Sequence, residues 1–136
     1  TQAGTTSTAS GETSAEGAEL FTRYTSLQEV DAALAAARAA GKPAILDYYA
    51  TWCLDCVRME KGTLADPRVR NALKGFVLVQ ADVTESNATT QAMKTRFKVL
   101  GPPALLFFDA DGRERTDLHF YGYRNTEDFL AVLEKI

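Results

Sequence analysis

Cysteine and histidine are scarce in this chain: Cys53 and Cys56 are its two cysteines and His119 its one histidine. A structural zinc site takes about four Cys or His ligands. One Cys-x-x-Cys pair with a single distant histidine falls short of that. No apolar run approaches the roughly 20 residues of a membrane-spanning helix. Basic charge is not in excess either, with 15 Lys and Arg against 18 Asp and Glu and a net charge of −3. The electrostatic footprint of a nucleic-acid binder is therefore missing. No charged-then-apolar leader opens the chain, and its first residue is Thr1. The expectation is a processed chain or a piece of something longer. What remains is 136 residues, 46% hydrophobic and 24% charged, which suits one soluble domain with a single core. Two cysteines leave the compartment open, since a redox pair works on either side of a membrane.

Residues 1–19 are Thr, Ser, Ala, Gly and Glu with almost nothing to bury, the composition of a flexible polar linker. Order is expected from Leu20-Phe21, making 20–136 the folded domain. Ser26-Leu27-Gln28-Glu29 reads as a capping box opening an Ala-rich helix to Ala40, with Gly41 placed to end it. Pro43 leads into an apolar strand over 44–50. A helix carrying the cysteines runs to about Gly62, and Asp66-Pro67 caps a short helix to Leu73. A second buried strand covers 76–82 and a polar helix 87–97. Gly101-Pro102-Pro103 introduces a strand over 104–109, Asp111-Gly112 supplies a hairpin turn, and another strand covers about 118–121. The last helix spans 126–136, capped by Asn125 or Thr126. This order predicts an α/β fold with a mixed central sheet and helices on both faces.

The cysteines stand as Trp52-Cys53-Leu54-Asp55-Cys56 between the first strand and a helix. Cysteines three apart at a helix start share one face and are close enough to bond. A bridge across so short a loop restrains the unfolded chain little, so it is a weak staple and a good redox switch. Unpaired N–H groups and the helix dipole favour a thiolate on the first cysteine. Half of a zinc site and an inert structural disulfide are the alternatives. The strand before, the Trp and the helix after favour redox exchange.

Cys53, at the helix start, is the expected attacking thiol and Cys56, one turn in, the resolving thiol. Cys56 must lose a proton, and Asp47 is the candidate base, because a charge on a core strand is rare unless paired or functional. Glu60 follows Cys56 by four positions and shares its helical face. The alternatives are an edge-facing or salt-bridged Asp47 and a solvated Glu60. Trp52 is expected to shield the disulfide, Asp55 to be exposed and His119 to be structural. Tyr48, Tyr49, Phe107 and Phe108 read as core or sheet-face residues.

Taken together, Tyr49-Ala50-Thr51-Trp52-Cys53-Leu54-Asp55-Cys56 and Val99-Leu100-Gly101-Pro102-Pro103 resemble the thioredoxin fold, a three-layer sandwich, over about 20–136. Narrower matches lie in 47–53, in Cys56-Val57-Arg58-Met59-Glu60 and in Thr63-Leu64-Ala65-Asp66-Pro67-Arg68-Val69. These resemble the C-terminal periplasmic domain of the DsbD family of bacterial thiol:disulfide interchange proteins. The resemblance implies a protein-disulfide reductase that relays electrons from a membrane domain to an N-terminal periplasmic domain of the same parent protein. Disulfide isomerisation and cytochrome c maturation lie downstream. It implies no cofactor beyond the redox-active pair and protein thiols and disulfides as partners. It also implies a monomer tethered at the periplasmic face of the bacterial inner membrane. Acidic residues matching Asp47 and Glu60 flank the cysteines in that family, and Pro103 matches its cis-proline. A free-standing periplasmic thioredoxin-like reductase and a non-catalytic module with a structural disulfide are the competing readings. An oxidase of the DsbA kind carries a large helical insertion for which this chain has no room.

Two departures stand out. Ala104 follows the proline where the family usually has Thr. Pro102 precedes it, and proline has no N–H to offer an incoming peptide.

Overall fold

The computed structural model describes residues 20–136; the expected linker over 1–19 lies outside the described residues. The elements run β1 (Thr22–Tyr24), α1 (Leu27–Ala39), β2 (Ala44–Tyr49), α2 (Leu54–Lys61), a 3-10 turn (Thr63–Ala65) and α3 (Pro67–Ala72). Then come β3 (Val77–Asp82), α4 (Ala88–Phe97), β4 (Ala104–Phe108), a 3-10 turn (Thr116–Leu118), β5 (Phe120–Tyr121) and α5 (Thr126–Leu133). The five strands form one sheet in the order β1-β3-β2-β4-β5. β1 and β2 both run parallel to β3, whereas β4 is antiparallel to β2 and to β5. The sheet is mixed, as the order of elements predicts.

Local chemistry sets the element ends. Ser26 Oγ accepts from the Glu29 N–H at 3.2 Å to start α1, and Gly41 follows it at φ +69°, a conformation that costs glycine nothing. Asp66 accepts from the Arg68 N–H at 2.8 Å at the head of α3. Asn87 and Thr90 cap α4 reciprocally, satisfying two N–H groups that the first turn leaves orphaned. Asn125, not Thr126, caps α5, accepting from the Asp128 N–H at 2.9 Å.

β2 is the keystone. All six of its residues are buried, as a strand flanked by neighbours and covered on both faces must be. Leu46 and Tyr48 join Val30 of α1 and Met93 and Phe97 of α4 in one apolar cluster. Ile45 joins Met59 of α2, Val69 of α3 and Phe129 of α5 in another. At about 1.5–3 kcal/mol for each fully buried large apolar side chain, these clusters are the main source of stability. α2 reaches both, giving Met59 to one and Cys56 to the other.

Three details depart from the sequence reading. β1 was not expected: three residues with burial falling only on the last are too few to show a periodicity, and pairing with the edge of β3 creates the strand. The return from the Asp111-Gly112 turn is brief. Gly112 adopts φ +84°, but the paired segment beyond it is a single Phe108–Glu114 bridge before the 3-10 turn. The strand expected over 118–121 therefore shortens to Phe120–Tyr121, with His119 closing the 3-10 turn instead.

Candidate active site

Cys53 is the N-cap of α2, with extended backbone, and its Sγ accepts from the Cys56 N–H at 3.2 Å. The two cysteines are joined as a disulfide with Cα atoms 5.2 Å apart. Both are buried, Cys53 at 7% exposure and Cys56 at 2%; the first is the more accessible, as its helix position predicts. A capping sulfur receives an N–H that would otherwise lack a partner, so a negative charge is stabilised there once the bond is reduced.

The loop before the cysteines is braced from the segment that follows β3. Thr84 Oγ1 accepts from the Thr51 N–H at 2.9 Å, and the Thr84 carbonyl accepts from Trp52 Nε1 at 2.9 Å. Asp82 in turn accepts from the Thr84 N–H at 2.9 Å and its hydroxyl at 2.6 Å. Trp52 is thus held by its ring nitrogen while 62% of it remains exposed. Leu54 and Leu100 are exposed large apolar side chains as well, and Trp52 and Leu100 line one groove. Asp55, expected to be exposed, is half-buried, with 45% of its side chain accessible, and pairs with Arg58 at 3.1 Å.

The Pro102–Pro103 peptide bond is cis. Pro103 is buried and opens β4, whose first residue, Ala104, shares the apolar cluster of Cys53 and Cys56. Its carbonyl accepts from the Gly122 N–H at 3.0 Å. The loop ahead of it is tied by the Leu100 N–H donating to the Tyr121 hydroxyl at 3.3 Å. A groove of about 230 Å³ runs between Trp52 and the 100–102 segment.

Asp47 and Glu60 meet through a residue that the sequence reading passed over. Both are buried, at 4% and 6% exposure, which rules out an edge-facing Asp47 and a solvated Glu60. Asp47 alternates with Leu46 and Tyr48, so it lies on the Ile45 face of β2, toward α2. Gln80, wholly buried on β3, donates through Nε2 to Asp47 Oδ2 at 3.0 Å and to Glu60 Oε2 at 3.4 Å. Arg23 Nε donates to Gln80 Oε1 at 2.7 Å, and other guanidinium nitrogens lie 3.7 Å from Glu60 and 3.8 Å from Asp82. Burial pushes the Asp47 carboxyl up to about 7, with Gln80 pulling it down, Glu60 pushing it up and Arg23 pulling it down. A carboxyl poised there can hold or release a proton near neutral pH.

Gln80 carried a signal in the sequence, a polar residue inside the run Val77-Leu78-Val79-Gln80-Ala81, the same kind of signal that singled out Asp47. Arg23 and Thr84 carried none. His119 is half-buried with its Nε2 3.4 Å from Glu114 Oε2, and burial lowers its pKa.

A family described as thioredoxin-like matches residues 25–110. The thiol:disulfide interchange protein DsbD of Ralstonia nicotianae is 47% identical over 116 residues, 85% of this chain and 19% of that protein. DsbD of Salmonella paratyphi A is 44% identical over 113 residues, 83% of this chain and 20% of the relative. The chain thus spans about a fifth of the length of the curated relatives it matches. Among solved structures, the oxidised C-terminal domain of Neisseria meningitidis DsbD superposes with a TM-score of 0.72 at 28% identity. That match covers 84% of this chain and 98% of that domain. A thioredoxin from Thermus thermophilus superposes with a TM-score of 0.66 at 25% identity. The sheet order, the capping Cys53, the cis-proline and a family match over residues 25–110 agree, and this chain belongs to the thioredoxin-like family.

Proposed function

We propose that this domain is a thiol:disulfide oxidoreductase, working as a protein-disulfide reductase. The observation that carries the reading is Cys53 at the N-cap of α2, bonded to Cys56 one turn on. In the reduced state, Cys53 thiolate attacks a partner disulfide. A bond forms between Cys53 Sγ and one partner sulfur, and the other partner sulfur leaves as a thiolate and takes up a proton. Cys56 then gives up its proton and attacks Cys53 Sγ. The intramolecular disulfide forms, the mixed disulfide breaks, and the second partner sulfur departs as a thiolate and takes up a proton. Two electrons and two protons pass to the partner. Asp47 is the proposed acceptor of the Cys56 proton, since its carboxyl is poised near 7, and Glu60 is its proposed electrostatic companion. Pro103 is proposed to face the pair across the sheet end.

Similarity to DsbD proteins supports a role as one station of a longer electron relay. In that relay the domain receives electrons from a membrane domain and passes them to periplasmic domains serving disulfide isomerisation and cytochrome c maturation. Among the described residues no helix is long and apolar enough to cross a membrane, so the membrane part of such a relay would lie in other segments. Residues 1–19 would then be the polar linker that joins this domain, at the periplasmic face of the inner membrane, to the rest. Pro102 offers an incoming peptide a carbonyl but no N–H, which favours a few dedicated partners over general substrates.

Trapping tests the reading. Cys56→Ser should accumulate mixed disulfides through Cys53 with periplasmic thiol proteins, and Cys53→Ser should abolish them. Stable adducts through Cys56 at comparable yield would overturn the assignment of roles. A disulfide that resists dithiol reductants would point instead to a non-catalytic module.

A further inference from the structure

We propose that Arg23, on the edge strand β1, is a positioning residue of the dithiol site: it fixes the Gln80 amide so that one NH2 group serves both Asp47 and Glu60, and it supplies the positive charge that holds those carboxylates together. The inference rests on the proposed roles of Asp47 as acceptor of the Cys56 proton and of Glu60 as its electrostatic companion, through which the cluster would also tune the thiols.

A guanidinium has donors only. Its Nε meets Gln80 Oε1 at 2.7 Å, so the amide oxygen faces β1 and the NH2 group faces the acids. The reversed amide would set donor against donor at Arg23 and carbonyl oxygen against two carboxylates. Either clash, inside a buried site, costs more than the hydrogen bond it replaces. Arg23 is itself restrained: its guanidinium carbon lies 4.8 Å from the Tyr49 ring centroid and another of its nitrogens 3.8 Å from Asp82.

The charged and titratable groups of this cluster come from four elements: Arg23 of β1, Asp47 and Tyr49 of β2, Glu60 of α2 and Asp82 of β3. Arg23 is the cation that these contacts give them among the described residues. Asp47 is the carboxyl whose proton affinity the arrangement sets, and Arg23 acts on it twice. It lowers that affinity directly and it orients the Gln80 donor that lowers it further. With 40% of the Arg23 side chain exposed, solvent screens part of the direct effect.

The experiment follows the Asp47 carboxyl by carbon-13 NMR titration in the oxidised domain, and Cys53 alkylation against pH in the reduced domain. Arg23→Gln should move the Asp47 midpoint up by about one pH unit, and the Cys53 midpoint in the same direction. Arg23→Lys keeps the charge but not the planar fork and should move Asp47 the same way by less. A parental Asp47 midpoint in Arg23→Gln overturns the inference even if the melting temperature falls, because a purely structural contact changes stability without moving a titration. If Arg23→Gln does not fold, a parental midpoint in Arg23→Lys overturns it equally. A displaced Asp47 midpoint with unmoved Cys53 alkylation supports the role of Arg23 and counts against tuning of the thiols by Asp47.

Discussion

Gln80 stands opposite Asp47 in the parallel register of β3 and β2, and its side-chain amide donates to the Asp47 carboxylate at 3.0 Å. Two polar residues, each isolated within an apolar strand, thereby answer one another in the middle of the sheet. Neither would be tolerated alone, since a buried group without a partner costs its full desolvation.

Loss of the Gln80 amide should therefore be felt in stability. Gln80→Leu leaves Asp47, Glu60 and Arg23 without their shared partner and should cost about 1–3 kcal/mol. Urea unfolding of the oxidised domain measures this. A midpoint equal to that of the parent would mean that the carboxylates find other donors.

Asp47 should make the fold pH-dependent, with a sign opposite to that of a salt-bridged carboxylate. Its pKa rises from 3.8 to about 7 on folding, so between those values the folded state binds more protons than the unfolded chain. The contribution is fully present below about pH 4 and is lost as the pH rises through about 7. Asp47→Asn keeps an acceptor for Gln80 and removes the titration. It should stabilise the oxidised domain by about 1–3 kcal/mol at pH 8, under a ceiling of about 4 kcal/mol, and by little at pH 4. Thermal melts at the two pH values check this; an equal effect at both would contradict the assignment.

The same two carboxylates should restrain the nucleophile. Anionic groups near a thiol raise its pKa, which would keep Cys53 sluggish toward casual disulfides until a partner docks. Asp47→Asn combined with Glu60→Gln should lower the Cys53 pKa, read from a pH series of alkylation rates on the reduced domain. If the profile of the double variant overlays the parent's, the pair is structural only.

A donor of electrons needs a reducing couple. The reduction potential should fall nearer thioredoxin's value of about −270 mV than DsbA's of about −120 mV. Equilibration with a glutathione buffer gives the number. A potential above about −180 mV, that of protein disulfide isomerase, would argue against the reductase reading.

Much of this protein was legible before any fold. The Cys53–Cys56 pair, the strand that leads to it and the helix caps at Ser26, Asp66 and Asn125 are local features. They follow from neighbours a few residues apart, where backbone geometry and hydrogen-bond chemistry leave few choices. Asp47 was legible for another reason: a charge inside an apolar strand calls for a partner. What the sequence could not decide was who that partner is. Gln80 is 33 positions away from Asp47 and Arg23 is 57 positions away from Gln80, and they meet only because β1, β3 and β2 lie side by side. β1 itself exists for the same reason, three residues without internal pattern made into a strand by the edge of β3. Periodicity and capping act along the chain; the buried amide, its two carboxylates and their guanidinium were brought together by the lateral order of the strands, which tertiary packing alone decides.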